Sequence, residues 1–212
     1  LVTFLLLPLY TNQFTPEQYG VVALFYTFVP LLNIIMRYGL GAAFLKNYVP
    51  ANSEERLSIM TNVIVSLIIS GLPFLAIFYF FRLDLSYILF GVVKPSYVII
   101  MGVIVFFDTI WSIPMLAFRA ENRPRLFISL SLLNVGITLL CNLLFIIILK
   151  MSIGSIFLSN LIASSLLFIL VIPYIIKRSK ISSLSYTKWK HIISFAFPFI
   201  PAGLFAMAME VA

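Results

Sequence analysis

Apolar runs about as long as a bilayer is thick recur along this chain, separated by short segments holding most of its charge. A helix needs about 20 such residues to cross the hydrocarbon layer. In lipid every backbone amide must find its partner inside the protein, so spanning segments of this kind are helices. The predicted fold class is therefore an all-α polytopic membrane protein. Composition excludes a water-soluble globule: 62% of the 212 residues are hydrophobic, 10% are charged, and the mean hydropathy is +1.13. A soluble domain carries about 25% charge.

Seven spans are predicted. Residues 1–10 are read as the remnant of span one, and 11–15 as a turn. Span two opens on Thr15 as N-cap, with Pro16 at the first helical position and Gln18 three after the cap, and runs to about Leu45. Span three follows Asn52 and Glu55, which have capping-box spacing, and covers roughly residues 57–81. Spans four, five and six fall at about 98–118, 126–149 and 153–176, and span seven begins near Ile192. Residues 85–93 are apolar but too short to cross, so they are expected at the interface. Leu1 and Ala212 both fall inside apolar runs, so a piece of a longer protein is expected. No basic n-region or cleavage site marks a signal peptide.

The 14 Lys and Arg residues set an orientation. Loops after spans one, three and five hold three of them: Arg82, Lys94 and Lys150. Loops after spans two, four and six hold ten, which places those loops in the cytoplasm. Tyrosines near the span ends, among them Tyr10, Tyr48, Tyr79, Tyr87, Tyr97 and Tyr174, together with Trp189, read as an interfacial belt. The net charge of +7 lies in these loops and serves topology rather than nucleic acid. The lone Cys141 lies within a span and can form no intrachain disulfide.

Ionisable residues inside the membrane are costly and are candidates for function. There are three: Arg37 in span two, Asp108 in span four and Glu210 in span seven. Arg37 lies nine residues before Lys46 and Asp108 eleven before Arg119. At 1.5 Å per residue that is roughly 14 and 17 Å from the cytoplasmic ends. Spans two and four run in the same direction, so Arg37 and Asp108 could pair at similar depth, either as structural neutralisation or as part of a binding site. Uncharged polar residues form stripes at helical spacing: Asn33 with Arg37; Asn62, Ser66 and Ser70; Asn134, Thr138 and Asn142; Ser155 and Ser159, with Asn160 and Ser164 beside them. Such faces either hydrogen-bond between helices or wall a wet cavity. The cavity reading names Arg37, Asn33, Asp108, Asn134, Asn142 and Glu210 as its lining. Gly39-x-x-x-Ala43 reads as close packing, and Glu54, Glu55 and Glu121 as loop charges at helix starts. Prolines near or within spans (Pro30, Pro73, Pro114, Pro173, Pro198, Pro201) offer bending points. The sequence holds no catalytic, metal-ligand or phosphate-loop motif.

Three stretches carry a resemblance. They are Pro8-Leu9-Tyr10-Thr11 with Pro16-Glu17-Gln18-Tyr19-Gly20 and Gly39-Leu40-Gly41; Phe118-Arg119-Ala120-Glu121-Asn122-Arg123; and Phe197-Pro198-Phe199-Ile200-Pro201-Ala202-Gly203-Leu204. In order and spacing the chain resembles bacterial polysaccharide-biosynthesis flippases, which handle O-antigen, lipopolysaccharide and exopolysaccharide units. Their superfamily includes multidrug exporters and the lipid II flippase. The Asp-Arg pair that usually follows the seventh span in that family would fall beyond Ala212.

The resemblance implies an N-terminal six-helix lobe over residues 1–178, a cytoplasmic linker over 179–190, and the first helix of a second lobe over 191–212. These belong to an alternating-access transporter of roughly 12–14 helices. It implies a monomer in the inner membrane that flips a polyprenyl-diphosphate-linked oligosaccharide outward, without a cofactor, driven by H+ or Na+, and in contact with a polymerase complex. Arg37 would meet the diphosphate, and Asp108 would orient Arg37 or take part in ion coupling. Arg119, Arg123 and Arg125 would stand at the cytoplasmic mouth, or simply fix topology. A multidrug exporter on the same fold is the nearest alternative. A membrane glycan polymerase or acyltransferase is a rival from another class, and the short outer loops argue against it.

Overall fold

The computed structural model describes the backbone of residues 2–211, and all their side chains except those at 2–5, 7, 8, 204, 206–208, 210 and 211. Ten α-helices follow one another: α1 (Val2–Gln13), α2 (Pro16–Arg37), α3 (Leu40–Tyr48), α4 (Ser53–Phe80), α5 (Arg82–Phe90), α6 (Pro95–Ala120), α7 (Pro124–Leu143), α8 (Gly154–Arg178), α9 (Tyr186–Ala196) and α10 (Phe199–Val211). Among the described residues there is no strand. Five helical stretches are long and apolar enough to cross a membrane: Pro16–Arg37, Ser53–Phe80, Pro95–Ala120, Pro124–Ile148 and Gly154–Arg178. The last turn of the fourth is a π-helix, Leu144–Ile148, which continues α7.

Local signals account for most of the boundaries. Both predicted capping boxes form: Thr15 with Gln18 opens α2, and Asn52 with Glu55 opens α4. Glu54 and Glu55 lie in the first turn of α4, where the helix dipole favours them. The apolar stretch after α4 becomes the short helix α5, ended by Gly91 in the left-handed conformation.

Span two departs from expectation. It is not one helix to Leu45 but two, α2 and α3, divided at Tyr38 (φ 32°) and Gly39 (φ 79°). The cause is tertiary. Gly39 faces a matching break between α9 and α10, where a Cβ at Gly39 would overlap the Ala196 carbonyl oxygen and lie 2.8 Å from Phe199 Cβ. Only glycine combines positive φ with that approach. The predicted linker is itself pinned to α4, through Ser58 Oγ donating to the Ser183 carbonyl (2.8 Å) and the Lys180 amide donating to Thr61 Oγ1 (2.9 Å).

The helix α6 runs through the middle and packs on α2, α3, α4, α5, α7 and α8. Contacts at both ends show that α2–α3, α6 and α8 run parallel. Tyr97 stacks on Phe157 (4.4 Å) at one end, Phe107 on Phe168 (4.6 Å) in the middle, and Phe118 meets Tyr174 (4.6 Å) at the other. Buried apolar residues form two clusters, one toward the start of α6 (Phe25, Phe90, Tyr97, Phe157) and one toward its end (Phe44, Met60, Val63, Ile113).

The tyrosine belt holds only in part. Tyr79 and Tyr87 are 54% and 66% exposed, whereas Tyr10, Tyr48 and Tyr97 are buried. Two of the three have found hydroxyl partners inside: Tyr10 donates to Asn142 Oδ1 (3.0 Å) and Tyr48 to Glu121 Oε1 (2.8 Å).

Candidate functional site

The two apolar clusters divide at about the same level on the three parallel helices, and polar side chains occupy that level. The first cluster ends at Leu32 on α2, Ile104 on α6 and Leu161 on α8. The second resumes at Tyr38, Phe106 and Phe168. Near this seam stand Asn33, Arg37, Asp108, Thr109 and Ser164.

Asp108 Oδ1 accepts two hydrogen bonds from neutral donors, Ser164 Oγ at 2.6 Å and Trp111 Nε1 at 2.9 Å. The buried Asn33 links α2 to α6, with its Oδ1 3.3 Å from Thr109 Oγ1. Arg37 Nε donates to the Asn33 carbonyl at 3.2 Å, one turn back along α2.

The expected Arg37–Asp108 ion pair is not formed. The two charges act on one another electrostatically, but no nitrogen–oxygen contact within 4.0 Å joins them. Neutral hydroxyl and indole donors have taken the carboxylate, and a backbone carbonyl has taken Nε. Arg37 is half-buried, and its terminal nitrogens donate to no described group. A cation with open donors therefore stands next to the α2–α3 break, beside the start of α3, whose dipole presents partial positive charge at the same level.

Asn142 and Asn134, also named for the cavity, lie elsewhere. Asn142 is fully buried on α7 and accepts from Tyr10, while Tyr26 lies 3.4 Å from Tyr10 and accepts from Asn160 (3.1 Å). This polar network staples α1, α2, α7 and α8 together. Asn134 sits one turn from Thr138, whose hydroxyl donates to the Asn134 carbonyl (2.9 Å). The buried Ser and Asn side chains of the stripes mostly donate back to the carbonyl four residues earlier, as Asn62, Ser66, Ser159 and Asn142 do. Two of them also meet the start of α9, where Trp189 Nε1 donates to Ser66 Oγ (2.7 Å) and the Ser185 amide to Asn62 Oδ1 (3.4 Å). The Glu210 side chain lies outside the described residues.

At the far end of α6 Glu121 is not a solvated helix-start charge. It caps the end of α6, with its side chain only 6% exposed. Glu121 Oε1 accepts from Tyr48 (2.8 Å) and Tyr174 (3.1 Å) and pairs with Arg178 (3.5 Å), while Oε2 pairs with Arg123 Nε (3.3 Å). Burial first, and then the bond to this carboxylate, raise the Tyr48 phenol above its ordinary pKa. One carboxylate thus ties α3, α6, α8 and the start of α7. Of the predicted mouth arginines, Arg123 belongs to this cluster, Arg119 lies over the Phe127 ring (5.4 Å), and Arg125 is exposed.

A family model described as polysaccharide biosynthesis protein matches residues 1–209. The chain belongs to the polysaccharide biosynthesis protein family, and it is a multi-pass membrane protein. No curated protein and no solved structure matches it.

Proposed function

We propose that this chain is part of a transporter, not an enzyme, that moves polyprenyl-diphosphate-linked oligosaccharide from the inner to the outer leaflet of the bacterial cytoplasmic membrane. The observation that carries the reading is Arg37: a cation that, among the described residues, has no carboxylate partner and has donors to spare. An unpaired Arg at this depth costs about 2.5–3.5 kcal/mol on insertion scales. An anionic headgroup in transit would offset that cost through charge-assisted hydrogen bonds. The adjacent helix break supports the same reading, because discontinuous helices place dipole ends at transport sites. Asp108, held at hydrogen-bond distance by Ser164 and Trp111, is the group we assign to H+ or Na+ coupling. The family supports a place in polysaccharide assembly.

The test uses the complete protein in a deletion host that lacks surface glycan. Wild type is expected to restore glycan. Arg37→Ala and Asp108→Ala, present at wild-type level in the membrane, are expected to leave lipid-linked precursor on the cytoplasmic leaflet. Restoration of drug efflux without restoration of glycan would move the assignment to an exporter on the same fold. Wild-type glycan from both variants would remove these residues from the transport site.

A further inference from the structure

A second cationic feature, built from different residues, lies at the cytoplasmic end. A cavity of about 570 Å³ opens between the end of α3, the start of α4 and the start of α9. Lys46 comes from α3, and Lys188 and His191 from α9; Ile59 and Ile192 contribute an apolar floor. The lining holds one carboxylate, Glu55, and its Oε2 already accepts the Asn52 amide (3.1 Å) in the α4 capping box. Among the described residues neither lysine makes an ion pair. Lys46 Nζ instead lies 3.6 Å from the centre of the Phe195 ring, which holds it at the cavity wall.

Position and chemistry narrow the occupant. The first turns of α9 carry Tyr186, Lys188, Trp189 and Lys190, the basic and aromatic mixture that settles at a cytoplasmic headgroup layer. The cations ask for an anion, and the apolar floor beneath them asks for something more than inorganic phosphate. The volume falls within the range of about 300–1,000 Å³ that small-molecule sites occupy.

We propose that this cavity binds the headgroup of an anionic glycerophospholipid from the cytoplasmic leaflet, its phosphodiester against Lys46 and Lys188 and its glycerol ester region over Ile59 and Ile192. Occupancy fastens α9 to α3, the two helices that flank the paired breaks at Gly39 and Ala196. The lipid is thereby a brace for the hinge, and the proposal stands independently of which substrate crosses.

The test is binding of a fluorescent phosphatidylglycerol to the detergent-purified complete protein at low ionic strength, with fluorescent phosphatidylcholine as the uncharged arm. Wild type is expected to prefer phosphatidylglycerol. Each neutralised lysine is expected to weaken it about fivefold, so Lys46→Gln/Lys188→Gln weakens it about 25-fold and removes the preference. The single, exposed Lys188→Gln keeps the test open if the double variant does not fold. Lys177→Gln/Lys180→Gln, which removes the same charge outside the cavity, is expected to change binding less than about twofold. Equal affinity for the two lipids, or unchanged phosphatidylglycerol binding in the cavity variants, overturns the proposal. Competition by free glycerol phosphate at the same concentration as the lipid overturns the lipid source.

Discussion

Two charged centres in this lobe are built on opposite plans. At the end of α6 Glu121 is surrounded by its complement: two guanidinium groups and two phenol hydroxyls, drawn from α3, α8 and the start of α7. Midway along α6 Arg37 and Asp108 are near enough to feel one another, yet each is held by neutral groups and neither completes the other. The environment would favour the reverse, since an unpaired charge costs more the deeper it lies. A fold selected for stability alone would join the inner pair. The contrast separates a charge used as a fastener from charges kept available.

That contrast can be broken in several ways. Glu121→Ala should have the largest effect on stability, lowering it by about 2–4 kcal/mol, because it leaves Arg178, the buried Tyr48 phenol and the half-buried Tyr174 phenol without their acceptor. Thermal melting of the complete protein in detergent reads this, and transport per folded molecule should stay near wild type. Arg37→Leu should do the opposite. Transport should fall about 10- to 100-fold, the worth of a charge-assisted hydrogen bond of about 1.5–3 kcal/mol, while the melting temperature holds or rises. A melting temperature that drops as far as that of Glu121→Ala would make Arg37 a fastener too. Glu121→Gln keeps an acceptor for Tyr48 and Tyr174 and should cost about 1–2 kcal/mol by the same melting assay. Asn142→Leu, which removes the acceptor of the Tyr10 hydroxyl in the α1–α7 staple, should cost about 0.6–1.7 kcal/mol with transport unchanged. Smallest of all, Ser131→Ala removes a hydroxyl that only donates to the Phe127 carbonyl (2.8 Å) and should stay within about 0.5 kcal/mol.

What the sequence disclosed followed the range of the interactions involved. Thr15 with Gln18 and Asn52 with Glu55 were legible because a capping box is closed within four residues. Five of the seven predicted spans, two to six, were legible because bilayer thickness imposes a length on each apolar run, whereas predicted span seven is divided between the shorter helices α9 and α10. The break at Tyr38–Gly39 was not, since what demands glycine there is the Ala196 carbonyl, far along the chain. Arg37 and Asp108 could be placed at similar depth by counting rise, but depth alone does not make contact. Trp111, three residues after Asp108, was a readable local donor; Ser164 on α8 was not. The polar stripes carried their face in their period but not what that face meets, which for Asn142 and Asn160 is a tyrosine from another helix. Glu121 stood inside a recognisable motif, yet its role depends on Tyr48 and Tyr174, each more than 50 residues away.

The most direct test asks whether Arg37 acts on the charge of the passenger. The complete protein would be reconstituted in vesicles with two fluorescent polyprenyl oligosaccharides, one linked through a diphosphate and one through an uncharged ether. Leaflet accessibility would then be followed for wild type, Arg37→Ala and Glu121→Gln. The account predicts that wild type and Glu121→Gln move the diphosphate lipid in preference to the neutral one, and that Arg37→Ala abolishes that preference. If Arg37→Ala moves the diphosphate lipid at the wild-type rate, the open cation at mid-membrane is not the substrate's partner, and the central claim fails.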